Sequence, residues 1–112
     1  MSKFGQLIDD KHPLLLVFYN ELDTISSAMD PIRKDVAAKM RDSAKVIKIN
    51  SDKNERLAEA LRVKVLPTLM IYKDGEMLWR QSGEQDANTL IGLIKDHVYN
   101  LFFKLINNRV IF

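Results

Sequence analysis

The chain has 112 residues, 46% of them apolar and 29% charged, which fits one globular domain with a single core and excludes a disordered polymer. A net charge of +2 is too slight for the clustered basic face that nucleic-acid binding needs. No residue is cysteine, so disulfide staples, thiolate metal sites and thiol chemistry are excluded for this polypeptide.

Residues 3–10 place Phe4, Leu7 and Ile8 on one side of a short helix, and His12-Pro13 ends it because proline pushes its predecessor out of the helical region. Leu14–Tyr19 is a continuous apolar run, expected as a strand buried on both faces. Asp9, Asp10 and Lys11 precede that run where a secretory signal would be apolar or basic, so no signal peptide is expected. No stretch approaches the ~18 apolar residues of a membrane span. A cytoplasmic protein that touches neither membrane nor nucleic acid is the expectation.

Asn20–Ser26 is polar and leads into a helix, with Asp23 well suited to cap it. Met29, Ile32, Val36, Ala37 and Met40 recur at helical spacing, with Arg33, Lys34, Lys39 and Arg41 outside, and Pro31 is expected to bend the helix. Lys45–Asn50 reads as a strand, with the stem of Lys48 along the core edge. Asp52 and Glu55 have the spacing of a capping box for a helix at Asn54–Leu61. A buried edge then leads to Pro67. Thr68–Tyr72 and Glu76–Gln81 are expected to pair around the Asp74-Gly75 turn, with Trp79 packed in the sheet. Asp86 is the expected cap of the last helix, whose apolar stripe is Leu90, Ile91, Ile94, Val98, Leu101, Phe102 and Leu105.

Pro67-Thr68 ahead of an apolar strand, with Asp74-Gly75 after it, resembles the back half of the thioredoxin family. Leu14–Tyr19 is similar to the strand before that family's active site. Pro31, Lys48, Gly75 and Gly83 also match, so the resemblance covers residues 3–99. It implies one α/β domain over 1–112: a central mixed sheet flanked by helices, with a cis Leu66–Pro67 bond beside the site. Where the family has Trp-Cys-Gly-Pro-Cys, this chain has Leu22-Asp23-Thr24-Ile25-Ser26. Both catalytic cysteine positions are therefore degenerate, at Asp23 and Ser26.

Neither Asp23 nor Ser26 can attack a disulfide, so catalysis by the chain's own residues is not expected. Asp23 has its ordinary role as a helix cap. Ser26 and Ser27 have no His and Asp at triad spacing. His12 and His97 lie at opposite ends of the chain as surface residues, so neither metal nor cofactor is expected. The resemblance implies a groove where Leu22, Asp23, Thr24, Ile25, Leu66 and Pro67 hold an extended peptide or protein partner by strand addition. The leading expectation is thus a redox-inactive thioredoxin-like binding module. The alternative is a thioredoxin-family protein of thiol–disulfide homeostasis acting with a cysteine-bearing partner. Residues 99–112 form an apolar C-terminal extension. It either continues the last helix and tucks back, or buries Phe102, Phe103, Ile111 and Phe112 against a second copy or a partner.

Overall fold

The computed structural model describes residues 3–97. Its elements are α1 (Lys3–Ile8), β1 (Leu14–Tyr19), α2 (Thr24–Ser27), α3 (Met29–Met40), β2 (Lys45–Asn50), α4 (Glu55–Ala60), β3 (Thr68–Lys73) and β4 (Glu76–Ser82). A last helix, α5, occupies 87–97. The later part of its expected stripe (Val98, Leu101, Phe102 and Leu105) and the interface residues Phe103, Ile111 and Phe112 lie outside the described residues.

The sheet order is β2-β1-β3-β4, mixed, with β1 parallel to β2 and antiparallel to β3. β1 is central because its apolar residues are uninterrupted: alternate side chains feed opposite faces, and both faces are covered. Leu15, Val17, Leu69 and Ile71 meet Met29, Val36 and Met40 of α3 and Leu90 and Ile94 of α5 on one side. Leu14, Leu16, Phe18 and Met70 meet Phe4, Leu7 and Ile8 of α1 and Leu57 of α4 on the other. The Phe4 and Tyr72 rings pack edge to face at 5.8 Å between centroids.

The β3–β4 hairpin turns at Asp74 (φ 52°) and Gly75 (φ 81°), two left-handed residues of the kind a tight hairpin needs. The N–H groups of Asp74 and Gly75 donate to the carbonyls of Asp10 and Ile8 at 2.9 Å, tying α1 to the turn. Asp10 is held further by its side chain: Lys45 lies 2.6 Å from Oδ2, and the His12 N–H donates to Oδ1 at 2.8 Å. Lys45, with His12, holds the Asp10 carboxyl well below the usual carboxylate range. A depressed folded-state pKa contributes stability above the unfolded value of ~4, and that contribution disappears as pH falls through the folded value. Asp10→Asn should therefore lower Tm at pH 7, and the gap to wild type should close on acidification. A gap constant with pH would mean the carboxylate charge contributes nothing.

Several local expectations change. Pro31 interrupts the helix rather than merely bending it: the break falls at Ala28, between α2 and α3, because the proline has no N–H for the Ser27 carbonyl four residues back and its ring crowds it. The Asp52/Glu55 capping box does not form, because the Asn50 side chain accepts from the N–H groups of Asp52 (2.9 Å) and Lys53 (3.2 Å) instead. This makes Asp52–Asn54 a 3₁₀ turn, and α4 starts at Glu55 without a side-chain cap. The segment before Pro67 is not a buried edge, since Val65 is 57% exposed. Its start is fixed from outside: Arg80 of β4 donates to the carbonyls of Leu61 and Arg62, the second at 2.7 Å, where Arg62 (φ 56°) ends α4. Arg33 points inward rather than out, with only 17% of its side chain exposed.

Candidate functional site

Antiparallel pairing of Phe18 with Thr68 brings the end of β1 and the start of β3 together. The loops carrying Asn20–Asp23 and Val65–Pro67 therefore leave the sheet at the same end. Asn20 shapes the first loop. Its side-chain oxygen accepts from the Leu22 N–H at 2.7 Å, and its amide donates to Asp52 at 2.7 Å. That turn tips Leu22 outward.

Asp23 caps α2: its Oδ1 accepts the Ser26 N–H at 3.0 Å from an extended backbone conformation. Ser26 is 1% exposed. Its hydroxyl accepts the Asn20 N–H at 3.1 Å and reaches the carbonyls of Asn20 (3.0 Å) and Asp23 (3.1 Å). Position 26 is thus a strut inside the loop, and no serine nucleophile is presented there. Sequence reasoning marked Ser26 as a lost thiol and did not find its place in this network; the closest sequence signal was the Asn20-to-Ser26 polar run itself.

The surface between the loops is apolar. Leu22 is 89% and Ile25 56% exposed, Thr24 is exposed, Asp23 and Leu66 are half-buried, and Pro67 is buried. The Leu66–Pro67 peptide bond is cis. Thr68, wholly buried, donates to the Val65 carbonyl at 2.5 Å and pairs with the Ser82 hydroxyl at 3.0 Å. The Gly83 N–H donates to the Pro67 carbonyl at 2.8 Å. Among the described residues, no hydrogen bond engages the backbone N–H or carbonyl of Leu66. The structure therefore brings Leu22, Thr24, Ile25 and Leu66 to one end of the sheet, with Asp23 and Pro67 as supports.

Lys48 does more than pass its stem over the core edge. Its ammonium sits 5.1 Å from the centre of the Tyr19 ring and 3.5 Å from Asp30 Oδ1. Arg33 reaches the same oxygen from Nε (3.2 Å) and Nη2 (3.0 Å), and Lys34 takes Oδ2 at 3.3 Å. Led by the Arg33 hydrogen bonds, this cationic shell holds the Asp30 carboxyl down at about 2. The histidines are separate: His12 pairs with Asp10 at 3.0 Å, and His97, half-buried, has Nδ1 2.9 Å from the Leu93 carbonyl. Among the described residues, no group of three or more His, Asp or Glu is placed to hold a metal ion, and no helix is long and apolar enough to cross a membrane.

Comparison with known proteins gives a consistent result. Residues 1–96 match the family model described as Thioredoxin. The chain is 33% identical over 95 residues to Thioredoxin Y, chloroplastic, of Oryza sativa subsp. japonica, a match that takes in 84% of this chain and only 56% of that protein. It therefore spans little more than half the length of that relative. It is 27% identical over 93 residues to Thioredoxin 1 of Synechococcus elongatus, covering 83% of this chain and 87% of that one. Among solved structures, a mutant thioredoxin from Halobacterium salinarum NRC-1 aligns with a TM-score of 0.77 at 29% identity, covering 87% of this chain and 84% of that one.

Proposed function

This chain belongs to the thioredoxin family, and on that premise we propose that it is a protein-binding module with no redox activity of its own, gripping an extended partner segment at the Leu22–Leu66 face. The thiolate is the nucleophile of disulfide exchange, and a chain without cysteine has no substitute for it. What supports binding is the unengaged backbone of Leu66, next to the exposed Val65 on a loop that leaves the sheet at the same end as the exposed Leu22 and Ile25. An extended segment laid there would satisfy the Leu66 N–H and carbonyl while covering the apolar side chains, which is strand addition in its smallest form. A cytoplasmic location belongs to the same proposal. The rice relative's name places that protein in the chloroplast, so subcellular fractionation is its check.

The test uses a permanently unfolded model protein with blocked thiols, titrated into the labelled chain and followed by NMR. Shifts should concentrate at Leu22, Ile25 and Leu66. A Leu22→Ser, Ile25→Ser double variant should bind about tenfold more weakly or worse, because most of the apolar area offered to the partner is lost. Equal affinity of wild type and variant would reject this face as the binding surface.

A further inference from the structure

The sheet has an edge strand on each side, β2 and β4, and the two are built differently. The β3–β4 ladder shifts register between Ile71 and Tyr72, an irregularity of the kind that keeps an edge from pairing. β2 has none: Lys45–Asn50 follows β1 in unbroken register. We propose that the open edge of β2 is a homodimer interface, where it pairs antiparallel with β2 of a second copy. This surface is separate from the Leu22–Leu66 face, so either reading can fail without the other.

The backbone of β2 decides what the edge can offer. The Lys45 and Ser51 N–H groups donate to the carbonyls of Pro13 and Tyr19, both at 2.9 Å, so the odd-numbered residues turn their N–H and C=O groups toward β1. Those of Val46, Lys48 and Asn50 therefore turn outward. The Asn54 side-chain amide takes the Asn50 carbonyl at 2.9 Å. Among the described residues, nothing outside the sheet bonds the backbone of Val46 or Lys48. Each offers a donor and an acceptor. A cavity of about 230 Å³ beside residues 48–50, bounded by Phe4, Leu7 and Leu57, shows that α1 and α4 leave room at that end of the strand.

Self-complementarity selects a second copy as the occupant. A twofold axis through Ile47 sets Val46 opposite Lys48 of the second copy, and Lys48 opposite its Val46. Both pairs then exchange their outward N–H and C=O groups. Ile47, apolar and half-buried, meets its own counterpart at the intervening position, where side chains approach most closely. No lysine stands opposite a lysine, because Lys45 faces Ile49. Lysines ordinarily guard an open edge, but both of these are engaged within their own chain. Lys45 lies 2.6 Å from Asp10 Oδ2, and Lys48 lies 3.5 Å from Asp30 Oδ1. The edge therefore carries little net charge to repel a copy of itself. Antiparallel pairing also sends the two Leu22–Leu66 faces to opposite ends of one continuous sheet, and both stay free.

A single pair of short strands is a small interface, so the dimer should be weak and governed by mass action. Sedimentation equilibrium of the full chain, over about a hundredfold range of concentration, should show the mean mass climbing from one chain toward two. Amide exchange at Val46 and Lys48 should slow as concentration rises. Val46→Pro removes an outward N–H and keeps the ladder to β1, a change that edge strands tolerate. It should weaken association about tenfold or more, since both copies lose a bond. Ile47→Lys sets like charges together on the axis and should weaken it similarly; it carries the test if circular dichroism shows Val46→Pro unfolded. A monomer at every concentration would overturn the proposal, as would a dimer that either folded variant retains unchanged. Slow exchange at Val46 and Lys48 in a strictly monomeric chain would overturn it too, by showing that another segment of the same chain, such as residues 98–112, covers the edge.

Discussion

A variant carrying both Asp23→Cys and Ser26→Cys is expected to catalyse reduction of insulin disulfides by dithiothreitol, at a rate on the order of tenfold or more above the background given by wild type. The Ser26 N–H already points at the side chain of residue 23, 3.0 Å from Oδ1. A thiolate in that place would accept the same N–H and lie in the same positive field at the start of α2, which lowers its pKa and raises the attacking fraction. The second sulfur would follow one turn later on the same helix, as resolution of a mixed disulfide requires. The hydrogen bonds of the Ser26 hydroxyl would be forfeited, at about 1–2 kcal/mol, which a folded domain of this size tolerates. Either single variant should stay at background. If the double variant did too, the barrier to redox chemistry would lie in the exposed Leu22, Thr24 and Ile25 as well as in the missing sulfur.

Phe18→Ala should be the most damaging single truncation near the site, costing about 3–5 kcal/mol. The ring is wholly buried, packed among Leu14, Leu16, Ile49, Met70 and Tyr72 beneath α1 and α4. Truncation leaves a void among these side chains, so transfer and cavity terms both apply. In urea the midpoint should fall by roughly 1–3 M with little change in slope. Phe18 also precedes Tyr19 and Asn20, the end of β1 and the start of the loop, so amide exchange of residues 20–26 should accelerate along with the global loss. A cost below about 1 kcal/mol would show that the α1–α4 layer relaxes to fill the gap.

The features that could be read from the sequence are those written within a few residues of one another. The unbroken apolar run of β1, the Asp23 and Asp86 caps and the Asp74-Gly75 turn all express short-range rules, and each appears where expected; Asp86, for instance, accepts the Thr89 N–H at 2.7 Å. The misses come from competition across the chain. Asp52 and Glu55 have capping-box spacing, yet Asn50 takes the free N–H groups first and Asp52 turns to Asn20, 32 residues away. Arg33 looked like an outward helix residue until Asp30 and Lys48, which meet only when β2 packs beside α3, gave it a partly covered ionic niche. Of the candidate site, the sequence named the loop residues, and the structure adds which of them are exposed. The split between exposed Leu22 and Ile25 and inward Ser26 depends on the loop from Asn20 to Ser26 closing on itself, which no periodicity encodes.

The buried hydroxyl of Ser26 has a consequence for descent. A cysteine at position 26 alone would forfeit the hydroxyl contacts with Asn20 and Asp23 and find no second sulfur; one at position 23 alone would keep an acceptor for the Ser26 N–H but have no second thiol to resolve its adducts. Neither single cysteine completes a dithiol, and the one at position 26 gives up hydrogen bonds worth about 1–2 kcal/mol. The loop is closed around an oxygen, and a dithiol lies two substitutions away.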